Sequence, residues 1–208
     1  MEQEVKKPQI SDELLAAYEG VAPATLGHMN DLRFMDSGIK PVYRRCHLVG
    51  RAFTVRAPGG VDIKILNEVT NQAKPGDVIV VDRCGDTEHA VIGEFRALDH
   101  LRRGIAGWVV DGAICDAVAI GDMAFPTFSR TVSALVGKPV GLQGQLNIPV
   151  TCGGVVVNPG DLVLGDDDGV VVLSPEEAER LLPRCLEVER KEIERRKDAK
   201  DILERNKY

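Results

Sequence analysis

Two carboxylates carry the clearest chemical signal in this sequence. Asp111 and Asp116 follow Trp108-Val109-Val110, a continuous apolar run of the kind a buried strand requires. In sheets built from strand–helix–strand units, ligands collect outside the carboxyl ends of the strands, where loops converge on a rigid frame. A carboxylate there can hold a hard divalent ion, which takes oxygen ligands and keeps waters that a substrate displaces. The same residues also read as a turn at Asp111-Gly112 with Asp116 capping the next helix, and the pattern leaves both readings open. A second acidic group, Asp166-Asp167-Asp168 with Gly169, lacks the ligand spacing and closing Glu of a calcium loop. It lies between Leu162-Val163-Leu164 and Val170-Val171-Val172 and reads as a solvated hairpin turn.

Other reactive side chains form no recognisable constellation. The histidines (His28, His47, His89, His100) are isolated along the chain, as surface or hydrogen-bonded residues are more often than metal ligands. The 5 cysteines (Cys46, Cys84, Cys115, Cys152, Cys185) are an odd number without a C-x-x-C pair, which argues against a disulfide framework and a zinc knuckle. The sequence contains no Walker loop, dinucleotide fingerprint, G-x-S-x-G elbow or H-E-x-x-H motif.

The elements that must position these residues follow from periodicity. Ser11-Asp12-Glu13 opens a helix with Leu14, Leu15 and Tyr18 at helical spacing, stopped by Gly20, and Pro23 opens a second short one. LVGRAFTVRAP, after His47, alternates as a strand, and DIKILNEVTNQA has the period of a helix. Val78-Ile79-Val80-Val81 is a strand buried on both faces. A helix follows with Val91, Phe95, Leu98 and Leu101 on its apolar face, ending near Gly104, so Val78 to Val110 forms a βαβ unit. ICDAVAIGDMAF reads as another helix and Pro126-Thr127-Phe128 as an extended segment. Short Gly-punctuated strands fill Pro139 to Leu173, and a polar Glu/Arg-rich helix runs from Pro175 to Tyr208. Two Pro-Gly-Asp segments, at Pro75 and Pro159, each precede a hydrophobic strand, and a shared type II turn explains the echo.

Composition sets the outer limits. A chain of 208 residues with 44% hydrophobic and 28% charged residues is ordinary globular material, read as one domain over 1–208. Aromatics at 4% imply a core of Val, Ile, Leu and Ala, and 21 Gly with 11 Pro imply many tight turns. The 26 basic against 32 acidic residues leave a charge of -6, which disfavours a nucleic-acid surface. The absence of a long apolar run or signal-like N-terminus points to a soluble, cytoplasmic protein.

Six segments in order carry a resemblance. They are IKP at Ile39, LVGRAFTV at Leu48, PGDVIVVD at Pro75, GWVVDGAICD at Gly107, FPTF at Phe125 and PGDLVLGDDDGVVV at Pro159. From about Pro23 to the C-terminal helix the chain resembles the family named for the regulator of ribonuclease activity A. That family includes the 4-hydroxy-4-methyl-2-oxoglutarate aldolases and oxaloacetate decarboxylases. The resemblance implies an α/β fold, a three-layer β/β/α swivelling-type domain, with N-terminal helices and a long C-terminal helix. It also implies a homotrimer or dimer of trimers with sites at subunit interfaces.

The activity it implies is that of a lyase acting on a small 2-oxo acid such as a pyruvate precursor, by retro-aldol cleavage or decarboxylation. The implied cofactor is a divalent cation, magnesium, held by Asp116. The family signature of Asp, twenty residues, Arg, Asp falls on Glu94, Cys115 and Asp116. Glu94 keeps a carboxylate for orienting water or accepting a proton, while Cys115 replaces a forked cation suited to carboxylates. Arg83, Arg96 and Arg130 are candidates to supply that cation from another direction. A different substrate, or a small apolar filler role for Cys115, is the other reading, and no residue has zinc-ligand spacing to support a softer metal there. The resemblance also implies that backbone N–H groups from Gly93 through Glu94 and Phe95 to Arg96 bind a substrate carboxylate, and that an acidic residue of a neighbouring subunit's C-terminal helix, here Glu192, approaches the metal. Non-catalytic binding and restraint of a ribonuclease is the alternative function.

Overall fold

In a computed structural model describing residues 10–29, 32–141 and 143–205, the chain begins with α1 (Asp12–Tyr18) and α2 (Pro23–Gly27). Residues 1–9 and the last three residues of the expected C-terminal helix lie outside the described residues. Ser11 caps α1 by accepting the Leu14 N–H at 3.1 Å, and Pro23 sits in the first turn of α2. The short strands β1 (Arg33–Phe34) and β2 (Lys40–Pro41) lead into β3 (Leu48–Arg56). Strand and helix then alternate through α3 (Ile65–Gln72), β4 (Asp77–Asp82), α4 (Glu94–Arg102), β5 (Gly107–Ile114), α5 (Ala117–Asp122) and β6 (Thr127–Val132). Last come β7 (Gln145–Leu146), β8 (Val150–Cys152), β9 (Val155–Val157), β10 (Leu162–Asp166), β11 (Gly169–Leu173) and α6 (Pro175–Arg205).

The main sheet runs β1-β11-β10-β3-β4-β5-β6-β2, with β7 also paired to β3. Its centre, β3 to β6, is parallel, as crossover helices require. The β10–β11 hairpin adds antiparallel to β3, and β8 and β9 form a separate hairpin.

Alternation along the buried strands divides the core. Ile79, Val81, Trp108 and Val110 face α3, α4 and α5, while Val78, Val80, Val109 and Phe128 face Val150, Cys152 and Val157 of the β8–β9 hairpin. Helices, sheet and hairpin form the three layers of a β/β/α domain. A third cluster seats α1, α2 and the start of α6 on Leu162, Leu164, Val171 and Leu173.

Both Pro-Gly-Asp segments form the expected turn. Gly76 and Gly160 have φ of 81° and 85°, the value a type II turn demands at its third residue. Asp77 and Asp161 then accept the N–H of Lys74 at 2.7 Å and of Asn158 at 2.9 Å. The acidic triplet likewise turns between β10 and β11, and Asp167 additionally accepts the Arg45 N–H at 2.9 Å.

The expected apolar face of the central helix needs correction. The helix starts at Glu94, after Val91 has already bonded to β5 through the Ala113 carbonyl, and Phe95 is 80% exposed. Ala97 and His100 face inward instead. The Nδ1 of His100 accepts the Trp108 Nε1–H at 3.0 Å, and its Nε2 lies 3.2 Å from Thr70 Oγ1. Burial, with help from Arg96, lowers its pKa to about 4, so the neutral ring ties α3, α4 and β5 together. Beyond its packed first turns, α6 is largely exposed as far as Lys197 and laced by i,i+4 pairs such as Lys191 with Glu187 at 2.6 Å. Among the described residues, no helix is long and apolar enough to cross a membrane.

Candidate functional site

The end of β5 builds the site. Cys115 is still tied to the segment that precedes α4, its N–H donating to the Ile92 carbonyl at 2.9 Å. Asp116 then turns the backbone with φ 55° and ψ 36°, the left-handed conformation that Asp tolerates better than most residues. It stands at the N-cap position of α5 but makes no side-chain capping bond there. Its Oδ2 reaches across instead and accepts the Glu94 N–H at 3.0 Å. The carboxylate thus caps α4, complementing the positive end of that helix.

Gly93 makes this approach possible. A Cβ at that position would lie 2.4 Å from Asp116 Oδ2 and 2.6 Å from Cys115 Sγ. The Cys115 thiol lies 3.5 Å from both the Ile92 carbonyl and Asp116 Oδ2. Burial, reinforced by the Asp116 charge, pushes its pKa up to about 11, so it remains a neutral donor near pH 7. Asp116 Oδ1 has no hydrogen-bond partner among the described residues, and Asp116 is exposed beside half-buried Glu94 and Cys115. Glu94, Cys115 and Asp116 are therefore brought together, with Gly93, Phe95 and Arg96 contributing the surrounding backbone of α4.

Asp111 does not join them. The strand continues to Ile114, so Asp111 lies within β5, where the pairing with β6 shifts register between Val110 and Ala113. Its side chain faces the hairpin layer, accepting from Arg130 Nε at 2.6 Å and the Gly153 N–H at 2.7 Å. Arg130 also grips Asp36 at 3.0 and 2.9 Å and holds that carboxyl below its ordinary pKa.

Nor do the other candidate arginines supply a free cation. Arg83 is completely buried, donating to the carbonyls of Ala57, Pro58 and Gly60 and to Asp86 at 2.8 Å. Arg96 is turned to α3, bonding the Leu66 carbonyl at 2.8 Å and Asn67 at 3.0 Å. Glu192 pairs with Arg196 at 2.6 Å on α6, a helix that packs on α1, α2 and β11, so one chain does not bring it to Asp116.

Asp86 organises the loop entering Gly93 and escaped sequence reasoning. Burial raises its pKa, but the N–H groups of Glu88, Gly60 and His89 and the His89 ring outweigh this and hold the carboxyl far below its ordinary value. The only available signal was its three-residue spacing from Arg83 and His89. A separate cavity of about 320 Å³ at the N-terminal end of β4 is lined by Arg51, Lys74 and Asn147, away from Asp116.

Among the described residues, no three His, Cys, Asp or Glu side chains converge as a metal cage. Asp116 Oδ1 is an open hard-oxygen donor, and the Glu94 carboxylate beside it is also without a hydrogen-bond partner among the described residues. That donor set fits an ion such as magnesium, which keeps several waters and needs few protein ligands, and does not fit a four-coordinate zinc site.

The RraA-like profile of the Aldolase/RraA family matches residues 7–172. A protein of Halalkalibacterium halodurans, provisionally named 4-hydroxy-4-methyl-2-oxoglutarate aldolase, is 40% identical over 157 residues, covering 76% of this chain and 74% of its own. An uncharacterised protein of Methanocaldococcus jannaschii is 33% identical over 177 residues, covering 80% and 83%. The crystal structure of Streptomyces coelicolor RraAS2, described as an unusual member of the RNase ES inhibitor RraA protein family, superposes with a TM-score of 0.79. It is 29% identical, covering 90% of this chain and 98% of that one.

Proposed function

Because the chain belongs to the Aldolase/RraA family, we propose that it is a lyase cleaving the C3–C4 bond of a small 2-oxo acid, one carbon removed from its keto group. The observation that carries this reading is the pinned Asp116 carboxylate at the carboxyl end of β5, with one oxygen held by Glu94 and the other open. A magnesium ion at that oxygen would supply positive charge for the keto and carboxylate oxygens and for the negative charge that develops as the bond breaks.

The chain's own groups do the rest. Asp116, fixed by the Glu94 N–H and the Cys115 thiol, needs little reorganisation to present its second oxygen. The remaining first-turn N–H groups of α4, those of Phe95 and Arg96, have no intrahelical acceptor and are donors for the substrate carboxylate. Glu94 takes a proton from the substrate hydroxyl, directly or through water. The open site favours completion by a second copy of the chain in a trimer or dimer of trimers.

Pyruvate release from a panel of 2-oxo acids, coupled to a dehydrogenase, tests this. Turnover of at least one member that stops on chelation is expected. No turnover, or turnover indifferent to chelation, would overturn it. The second reading is a non-catalytic regulator that binds a ribonuclease, and it draws on the description of the Streptomyces coelicolor neighbour. Pyruvate release together with a pull-down empty of ribonuclease sets it aside.

A further inference from the structure

On the reading that this site cleaves 2-oxo acids, we infer that it selects substrates whose far end is uncharged and apolar. A 4-hydroxy-2-oxo acid with an alkyl tail is then cleaved in preference to its dicarboxylate counterpart. In that cleavage the 4-hydroxyl proton leaves to a base, the C3–C4 bond breaks and C4 becomes a carbonyl. The electron pair goes to C3, which takes up a proton to give pyruvate. The fragment that begins at C4 leaves as an aldehyde, and the reaction needs no oxidant or reductant. Selection therefore depends on the walls that meet this fragment.

Those walls are apolar where they are uncommitted. Phe95 directly follows the residue whose N–H holds Asp116, Val118 lies two residues beyond Asp116, and each is 80% exposed. α4 and α5 are in contact, and the two residues lie in the first turns of these helices, next to the Glu94–Asp116 hydrogen bond that joins them. The charges there, Glu94 and Asp116, are negative. The three arginines that could replace the missing cation are committed elsewhere: Arg83 to three carbonyls and Asp86, Arg96 to α3, and Arg130 to Asp36 and Asp111. The Cys115 thiol, shared between the Ile92 carbonyl and Asp116, brings no charge of its own.

A second substrate carboxylate would lose hydration beside like charges and gain no partner. An alkyl group would instead remove Phe95 and Val118 from water.

Two matched pairs of compounds test the inference on the full chain with magnesium. Calorimetric titration compares 2-oxopentanoate with 2-oxoglutarate, which share a length and differ in terminal charge. Pyruvate release compares 4-hydroxy-2-oxopentanoate with 4-hydroxy-2-oxoglutarate. The member of each pair with the uncharged far end is expected to bind and react about tenfold better. Cys115→Arg should narrow or reverse that ratio, and so should Phe95→Lys, which alters an exposed position and leaves the core intact. Equal or better handling of the dicarboxylates by the unmodified chain overturns the inference while leaving the lyase reading standing. Release of pyruvate from neither compound overturns the inference, and the lyase reading falls with it only when no member of the 2-oxo acid panel is turned over.

Discussion

The two oxygens of Asp116 have different tasks: Oδ2 caps α4 through the Glu94 N–H, and Oδ1 is left open at the strand end. Gly93 separates those tasks from collision, because any side chain there meets the carboxylate and the Cys115 sulfur. Gly93→Ala is therefore expected to lower kcat/KM by about tenfold or more, since misplacing a catalytic group by a fraction of an ångström removes orientation. Circular dichroism should remain unchanged, because Gly93 lies just outside the helix. Retention of full activity would show that the close approach is not needed. Asp116 was picked out by the family signature more than by local pattern, and the structure places it just past Ile114, at the carboxyl end of β5. Asp111 was misread because its partners Arg130 and Gly153 lie 19 and 42 positions away, beyond the reach of local pattern.

Among the elements, α4 matters most to the site, and a neutral histidine and a buried arginine set its position. The unfolded chain protonates His100 near pH 6.5, while the folded chain resists protonation until about 4. Unfolding therefore takes up a proton between those values, so the His100 contribution is complete above pH 6.5 and is lost as pH falls toward 4. Urea midpoints measured across this window should fall less steeply in His100→Gln than in the unmodified chain. Arg83 acts on the preceding loop. Arg83→Ala would strand the carbonyls of Ala57, Pro58 and Gly60, and a loss of about 3 kcal/mol is expected in denaturant unfolding. The existence of the central helix was readable from the sequence, but its inward face was not. The ring of His100 finds Trp108 only once α4 lies against β5, and Phe95 is released to the surface by the same rotation.

At the scale of the molecule, a parallel centre with antiparallel flanks leaves the carboxyl ends of β4 and β5 open beside α4 and α5. The alternating strand and helix pattern disclosed that centre, and the Pro-Gly-Asp turns marked where strands begin. The separate β8–β9 layer was hidden, because short strands between Gly turns do not reveal which sheet they join. It is the hairpin layer that draws Asp111 and Arg130 away, leaving Asp116 as the carboxylate available at the strand end. The measurement that bears on this most directly is pyruvate release by Asp116→Asn, which keeps an acceptor for the Glu94 N–H while removing the charge. A fall of about 100-fold with unchanged circular dichroism is expected from loss of transition-state electrostatics. A rate within about twofold of the unmodified chain would contradict the role given to Asp116 and the lyase chemistry built on it.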